Sequence, residues 1–197
     1  MPQENTTLQD KWGRWTSQTF QGRTGVCITI ISAYQVVTDG PGKILTTAAS
    51  QQQSFLIQDR DLVISPRKAF RRDFKYYIQQ CQGKRQEILL VGDFDEQVGG
   101  TRLHAKIMDE IRLISTMKHY DGGQLTATYA RRQRCLDYAL ATPPVLQAVE
   151  MAGMKPLTHG IKLITVHALS TYRQKDCLAS IFNPYHKMSH GYCKPTT

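Results

Sequence analysis

Apolar and polar positions along the chain follow two periods, and these predict its elements. Ile28-Thr29-Ile30-Ile31-Ser32-Ala33-Tyr34-Gln35-Val36-Val37 is short, β-branched and aromatic, and Asp39-Gly40-Pro41-Gly42 closes it, so a strand is expected there. After a polar Gln51-Gln52-Gln53 stretch, Pro66 precedes Phe70, Phe74, Tyr77 and Ile78, which recur as one face of an amphipathic helix. Proline suits a first helical turn, and Gln82-Gly83-Lys84 ends the run. Glu87-Ile88-Leu89-Leu90-Val91 is apolar and too short for a helix, which predicts a strand buried on both faces and stopped at Gly92. Leu103, Ile107, Ile111 and Ile114 return at helical spacing, predicting a helix over 101–117. Leu136 to Ala141 reads as a third strand, ended by Pro143-Pro144 where a short helix begins, and Ile161 to His167 as a weaker strand. Residues 1–172 are therefore expected to form one domain, with 173–197 a loosely ordered tail.

Composition narrows the class. With 41% hydrophobic and 21% charged residues, 14 Gly and 8 Pro in 197 residues, the chain is neither collagen-like nor a coiled coil, and it has apolar residues enough for a core. Lys and Arg total 25 against 16 Asp and Glu, and the net charge of +9 favours a polyanionic partner, nucleic acid first. Five scattered cysteines (Cys27, Cys81, Cys135, Cys177 and Cys193), with no C-x-x-C pair, argue against zinc or a disulfide framework and for an intracellular compartment. No window approaches the roughly 18 apolar residues of a membrane span, and no signal peptide is expected.

Chemistry concentrates after the second strand. In Val91-Gly92-Asp93-Phe94-Asp95-Glu96, side chains two apart on an extended segment share a face, so Asp93 and Asp95 point into one pocket in one reading. Such a pair repels itself and invites a hard cation; the other reading is a solvated acidic turn. Asp137 sits among Cys135, Leu136, Tyr138, Ala139 and Leu140, where a buried carboxylate needs a partner, and His167 is a candidate if the two strands adjoin. Arg67, Arg71 and Lys75 share a helix face, as phosphate ligands or as solvated surface, and Arg131, Arg132 and Arg134 lie on the approach to Asp137 as candidate phosphate contacts.

The order of these motifs brings a family into view. Tyr34 on an early strand, then Val91-Gly92-Asp93-Phe94-Asp95, then Arg134-Cys135-Leu136-Asp137-Tyr138, then a strand-borne His167 resembles the endonuclease/exonuclease/phosphatase (DNase-I-like) superfamily, most of all the endonuclease domains of non-LTR retroelements. The likeness covers residues 12 to 170, with 44 residues from Asp93 to Asp137 and 30 from Asp137 to His167. It implies a four-layer α/β sandwich and Mg²⁺-dependent hydrolysis of phosphodiesters in DNA or RNA. By resemblance Asp93 orients or activates the attacking water, and Asp95 takes the place of a phosphate-binding residue; the cation that the carboxylate pair invites would then sit at Asp93 and Asp95. Tyr34 contacts the scissile phosphate, and His167, oriented by Asp137, stabilises its charge or moves a proton.

Three departures bear on catalysis. The family's GDFN motif ends in an Asn that holds the phosphate, where this chain has Asp95, and a carboxylate repels phosphate unless a cation or proton intervenes. The family's SDH is here Thr165-Val166-His167, and Val166 binds no metal. Only 33 residues precede Tyr34, with no counterpart of the family's early strand Asn and metal-binding Glu; those roles are not carried onto Asn5 and Glu4. The resemblance thus implies a sandwich incomplete on its N-terminal side, with impaired or lost activity. The alternative is a non-catalytic, basic nucleic-acid-binding remnant of a retroelement protein.

Overall fold

The computed structural model describes residues 6–22, 25–37, 47–59, 64–96, 110–120, 127, 135–156 and 162–168; of 117, 150–156 and 162–168 it describes the backbone alone. Eight strands are present among them: β1 (Thr6–Gln9), β2 (Trp15–Gln21), β3 (Cys27–Tyr34), β4 (Glu87–Asp93), β5 (Ile114–Ser115), β6 (Asp137–Ala141), β7 (Val149–Pro156) and β8 (Lys162–Ala168). The helices are α1 (Ala48–Gln58), α2 (Pro66–Gly83), α3 (Thr116–Tyr120) and α4 (Pro143–Ala148). Six strands form one sheet in the order β1-β2-β3-β4-β6-β5, and β7 pairs with β8 in a second. Within the large sheet β3 and β4 run parallel, and the other pairs are antiparallel.

Alternation along the strands sorts the core into two faces. Ile31 and Ala33 of β3, Ile88 and Leu90 of β4, and Tyr138 and Leu140 of β6 face α2, which buries Phe70, Phe74, Ile78 and Cys81 against them. This is the stripe that the helical period predicts, and Pro66 opens it at the first turn. Trp15 extends the layer, its ring 5.3 Å from Phe74, and Phe94 closes the other end, stacked 4.6 Å from Tyr138. On the opposite face Ile30, Leu89 and Ala141 pack with Val145 and Leu146 of α4 and with Val149. Residues 88–91 are all buried, as a central strand requires.

Several elements differ from the sequence expectation. The helix expected over 101–117 does not continue through Ile114: Ile111 is helical, Arg112 takes a left-handed φ of 51°, and Ile114 pairs with Ala141 as part of β5. Pairing to the free edge of β6 overrides the local helical spacing. The polar 51–53 stretch lies inside α1, started by a capping box in which Thr47 and Ser50 bond each other's backbone N–H. Strands β1 and β2 precede β3, where no element was expected. The tail over 173–197 lies outside the described residues. Among the described residues no helix is long and apolar enough to cross a membrane.

Candidate functional site at one end of the sheet

Tyr34 is the last residue of β3, Asp93 the last of β4 and Asp137 the first of β6, and the register pairs Tyr34 with Asp93 and Asp93 with Asp137. Directly paired residues on neighbouring strands project to the same face. Ala33 and Tyr138 face α2, so this row of three faces the opposite side of the sheet, that of Leu89 and Ala141. Three positions distant in sequence thus meet at one end of the sheet.

Backbone bonds tie this end of the sheet together. Tyr34 donates its N–H to the Arg14 carbonyl (2.9 Å), Gln35 to the Asp93 carbonyl (2.8 Å), and Phe94 to the Leu136 carbonyl (3.0 Å). Gln35 is fully buried, and its Nε2 donates to the Phe94 carbonyl at 2.7 Å, linking β3 to β4 a second time. Arg14 is anchored in turn: its guanidinium is buried against Asp10 and Asp73 and lies over the Trp12 and Trp15 rings. Burial raises the Asp10 carboxyl pKa, but the Arg14 bonds and charge outweigh it and hold the group below its ordinary value. Gly92 permits the closest approach, since a Cβ there would fall 2.0 Å from the Ala33 carbonyl oxygen.

The row is electrostatically tense. Burial raises the pKa of Asp93, the Asp95 N–H that donates to its Oδ1 (3.0 Å) lowers it, and the charges of Asp137 and Asp95 raise it further. Tyr34, 42% exposed, is also raised, by burial and then by Asp93 and Asp95, so its hydroxyl stays protonated at neutral pH. Asp137 opens β6 and is half-buried; the strand-interior burial inferred from its apolar neighbours does not hold.

Asp95 corrects a second expectation. It does not extend the strand beside Asp93: its backbone is left-handed (φ 46°), and its carboxylate accepts from Arg67 Nη1 at 2.7 Å. Arg67 Nη2 also reaches the Glu96 carboxylate at 3.0 Å, and Arg71 pairs with the same group. The basic face of α2 is therefore not bare solvated surface. It holds the acidic loop, while Lys75 pairs with Glu110.

Other candidates are less fully placed. His167 lies on β8, opposite Met151 of β7, and its side chain is outside the described residues, as are Arg131, Arg132 and Arg134. Among the described residues no group of three or more His, Cys, Asp or Glu side chains is arranged to hold a metal. Asp93 and Asp137 are nonetheless two hard oxygen donors in direct register, and their mutual repulsion is the kind a cation relieves. Sequence reasoning missed Gln35, Gly92 and the clamping role of Arg67. Only Gly92 carried a signal, as a glycine inside an apolar strand next to an acidic residue.

No family model and no curated protein matches the chain. Among solved structures it is similar to the 3′-5′ exonuclease NExo of Neisseria meningitidis, at 13% identity over 85% of this chain and 69% of that one, with a TM-score of 0.51. The same figures hold for the 3′ phosphatase NExo from Neisseria bound to product DNA hairpin. The endonuclease domain of the telomere-specific non-LTR retrotransposon TRAS1 also matches, at 12% identity over 86% of this chain and 71% of that one, with a TM-score of 0.47. The likeness to NExo shows a shared fold, the DNase-I-like α/β fold that the motif order leads one to expect.

Proposed function

We propose that this chain is a nucleic-acid phosphodiesterase domain whose site is the sheet end carrying Tyr34, Asp93 and Asp137, completed by His167 from β8. The observation that carries the reading is the register of Tyr34 on Asp93 and Asp93 on Asp137, which brings a hydroxyl donor and two carboxylates to one face. Asp93, at the end of β4 in register with both Tyr34 and Asp137, orients the attacking water and accepts its proton. Tyr34, kept protonated, donates to a non-bridging phosphate oxygen as the P–O bond to the leaving oxygen breaks. His167, oriented by Asp137, stabilises charge on the phosphate or gives the departing oxygen its proton, and the proton taken by Asp93 passes to solvent. Asp93 and Asp137 would hold Mg²⁺, which takes one or two protein carboxylates and fills its shell with water and phosphate oxygens. When bound it supplies neutralisation of the phosphate charge. Turnover is impaired relative to a site with further metal ligands, because Val166 offers none and Asp95 is engaged by Arg67.

The missing carboxylate at Val166 favours a second reading, in which the domain binds nucleic acid through its net charge of +9 without cutting it. Supercoiled plasmid incubated with the protein in Mg²⁺ or in EDTA separates the two. Metal-dependent nicking that disappears in Asp93→Ala is the expected result, and salt-sensitive binding with no nicking in any condition establishes the second reading.

A further inference from the structure

We propose that Arg67 is a positioning residue for the Asp93 carboxylate, acting through Asp95. This rests on the phosphodiesterase reading of the same site and adds a residue to it from outside the sheet.

The chain of contacts is continuous. Pro66 sets the first turn of α2 and so fixes where Arg67 leaves the helix. The Arg67 guanidinium then grips the loop after β4 at two carboxylates, Asp95 through Nη1 (2.7 Å) and Glu96 through Nη2 (3.0 Å), while Arg71 holds Glu96 from the next turn. Gripped in this way, Asp95 keeps a left-handed backbone, a conformation unfavourable for a residue other than glycine. That conformation aims its N–H at Asp93 Oδ1 (3.0 Å). Phe94 between them is buried, and Gln35 holds its carbonyl, so the loop has little other freedom. One face of the Asp93 carboxylate is thus pinned by a bond that exists because α2 lies where it does. The pairing also settles how a carboxylate is tolerated at position 95: Arg67 sits against its charge.

The grip predicts an outcome opposite to simple charge removal. If Asp95 were a defect that repels phosphate, Asp95→Asn would raise turnover. If it is the handle by which Arg67 sets Asp93, Asp95→Asn and Arg67→Ala both lower turnover. Two readouts test this on the full chain. Amide hydrogen exchange reports the Asp95 N–H directly, and Mg²⁺-dependent plasmid nicking reports kcat and KM. In Arg67→Ala the Asp95 amide is expected to lose at least about tenfold protection while core amides such as Leu90 keep theirs. The value of kcat should fall about tenfold with KM changed less than twofold, since only the reacting geometry is disturbed. Arg67→Lys, which keeps one ion pair, should recover part of both, and Arg72→Ala, a charge loss on the same helix, should change neither. An Asp95 amide still protected in Arg67→Ala, a KM effect with kcat intact, or faster nicking in Asp95→Asn overturns the proposal. If the parent protein does not nick DNA, the phosphodiesterase reading fails, and the amide comparison alone upholds or overturns the role of Arg67.

Discussion

Asp93 is half-buried beside a second carboxylate, and its raised pKa has a definite thermodynamic sign. Between the ordinary value of 3.8 and the higher folded value, the native state keeps a proton that the unfolded chain has released. Stability from this group therefore falls as pH rises through that window and stays lower at neutral pH. Asp93→Asn removes the charge and keeps an acceptor for the Asp95 N–H. At pH 7 the variant should gain about 1 kcal/mol, seen as a Tm increase of about 2–4 °C in a chain of this size, with the gain shrinking as pH is lowered toward 4. An unchanged or lower Tm at pH 7 would show that the carboxylate is not strained. The placement of Tyr34, Asp93 and Asp137 at strand ends was legible because hydroxyl and carboxylate side chains next to apolar strands are chemically conspicuous. The direction of Asp95 was not, since its left-handed backbone depends on an arginine 28 residues earlier.

At the scale of elements, the sheet end works only if β3 and β4 approach closely, and Gly92 is where that approach is tightest. A Cβ 2.0 Å from the Ala33 carbonyl oxygen forces backbone apart, one residue before Tyr34 and Asp93. Gly92→Ala should cost about 3 kcal/mol, read from the urea midpoint, and should lower nicking in the fraction that stays folded. A cost below about 1 kcal/mol would mean the strands have slack there. The readable elements were those with one strong period: α2 with its aromatic stripe, and β4 with its unbroken apolar run. Strands β1 and β2 are rich in Thr and Gln and bury little beyond Trp15 and Ser17, and β7 contains Gly153 and Pro156, so neither period nor composition announced them. Helix α1 buries only Ala49, Gln52 and Leu56, and its start lies in the Thr47–Ser50 capping box rather than in an apolar stripe.

For the whole molecule, the net charge of +9 means that the proposed nucleic-acid binding would be driven by counterion release. Binding to a short DNA duplex in EDTA should weaken at least about tenfold between 50 and 200 mM salt, and without metal Asp93→Ala should bind at least as tightly as the parent, because it removes a negative charge from the site. Salt-independent affinity would argue against a phosphate-tracking surface. The DNase-I-like fold was legible from the order and separation of four motifs, although no single motif specified it; the proposed site is composite, drawn from β3, β4, β6 and β8. A composite site has a consequence that no single substitution tests. Tyr34→Phe, Asp93→Ala and Asp137→Asn lie on three strands, so they should converge on one phenotype only if the strands build one centre. The decisive measurement is Mg²⁺-dependent nicking of supercoiled plasmid by the parent and these three variants, alongside their DNA affinities. The account predicts that the parent nicks, that each variant loses at least about a hundredfold in rate, and that affinity changes by less than about threefold in Tyr34→Phe. Nicking that survives in Asp93→Ala at the parental rate, or that is absent from the parent, would contradict it.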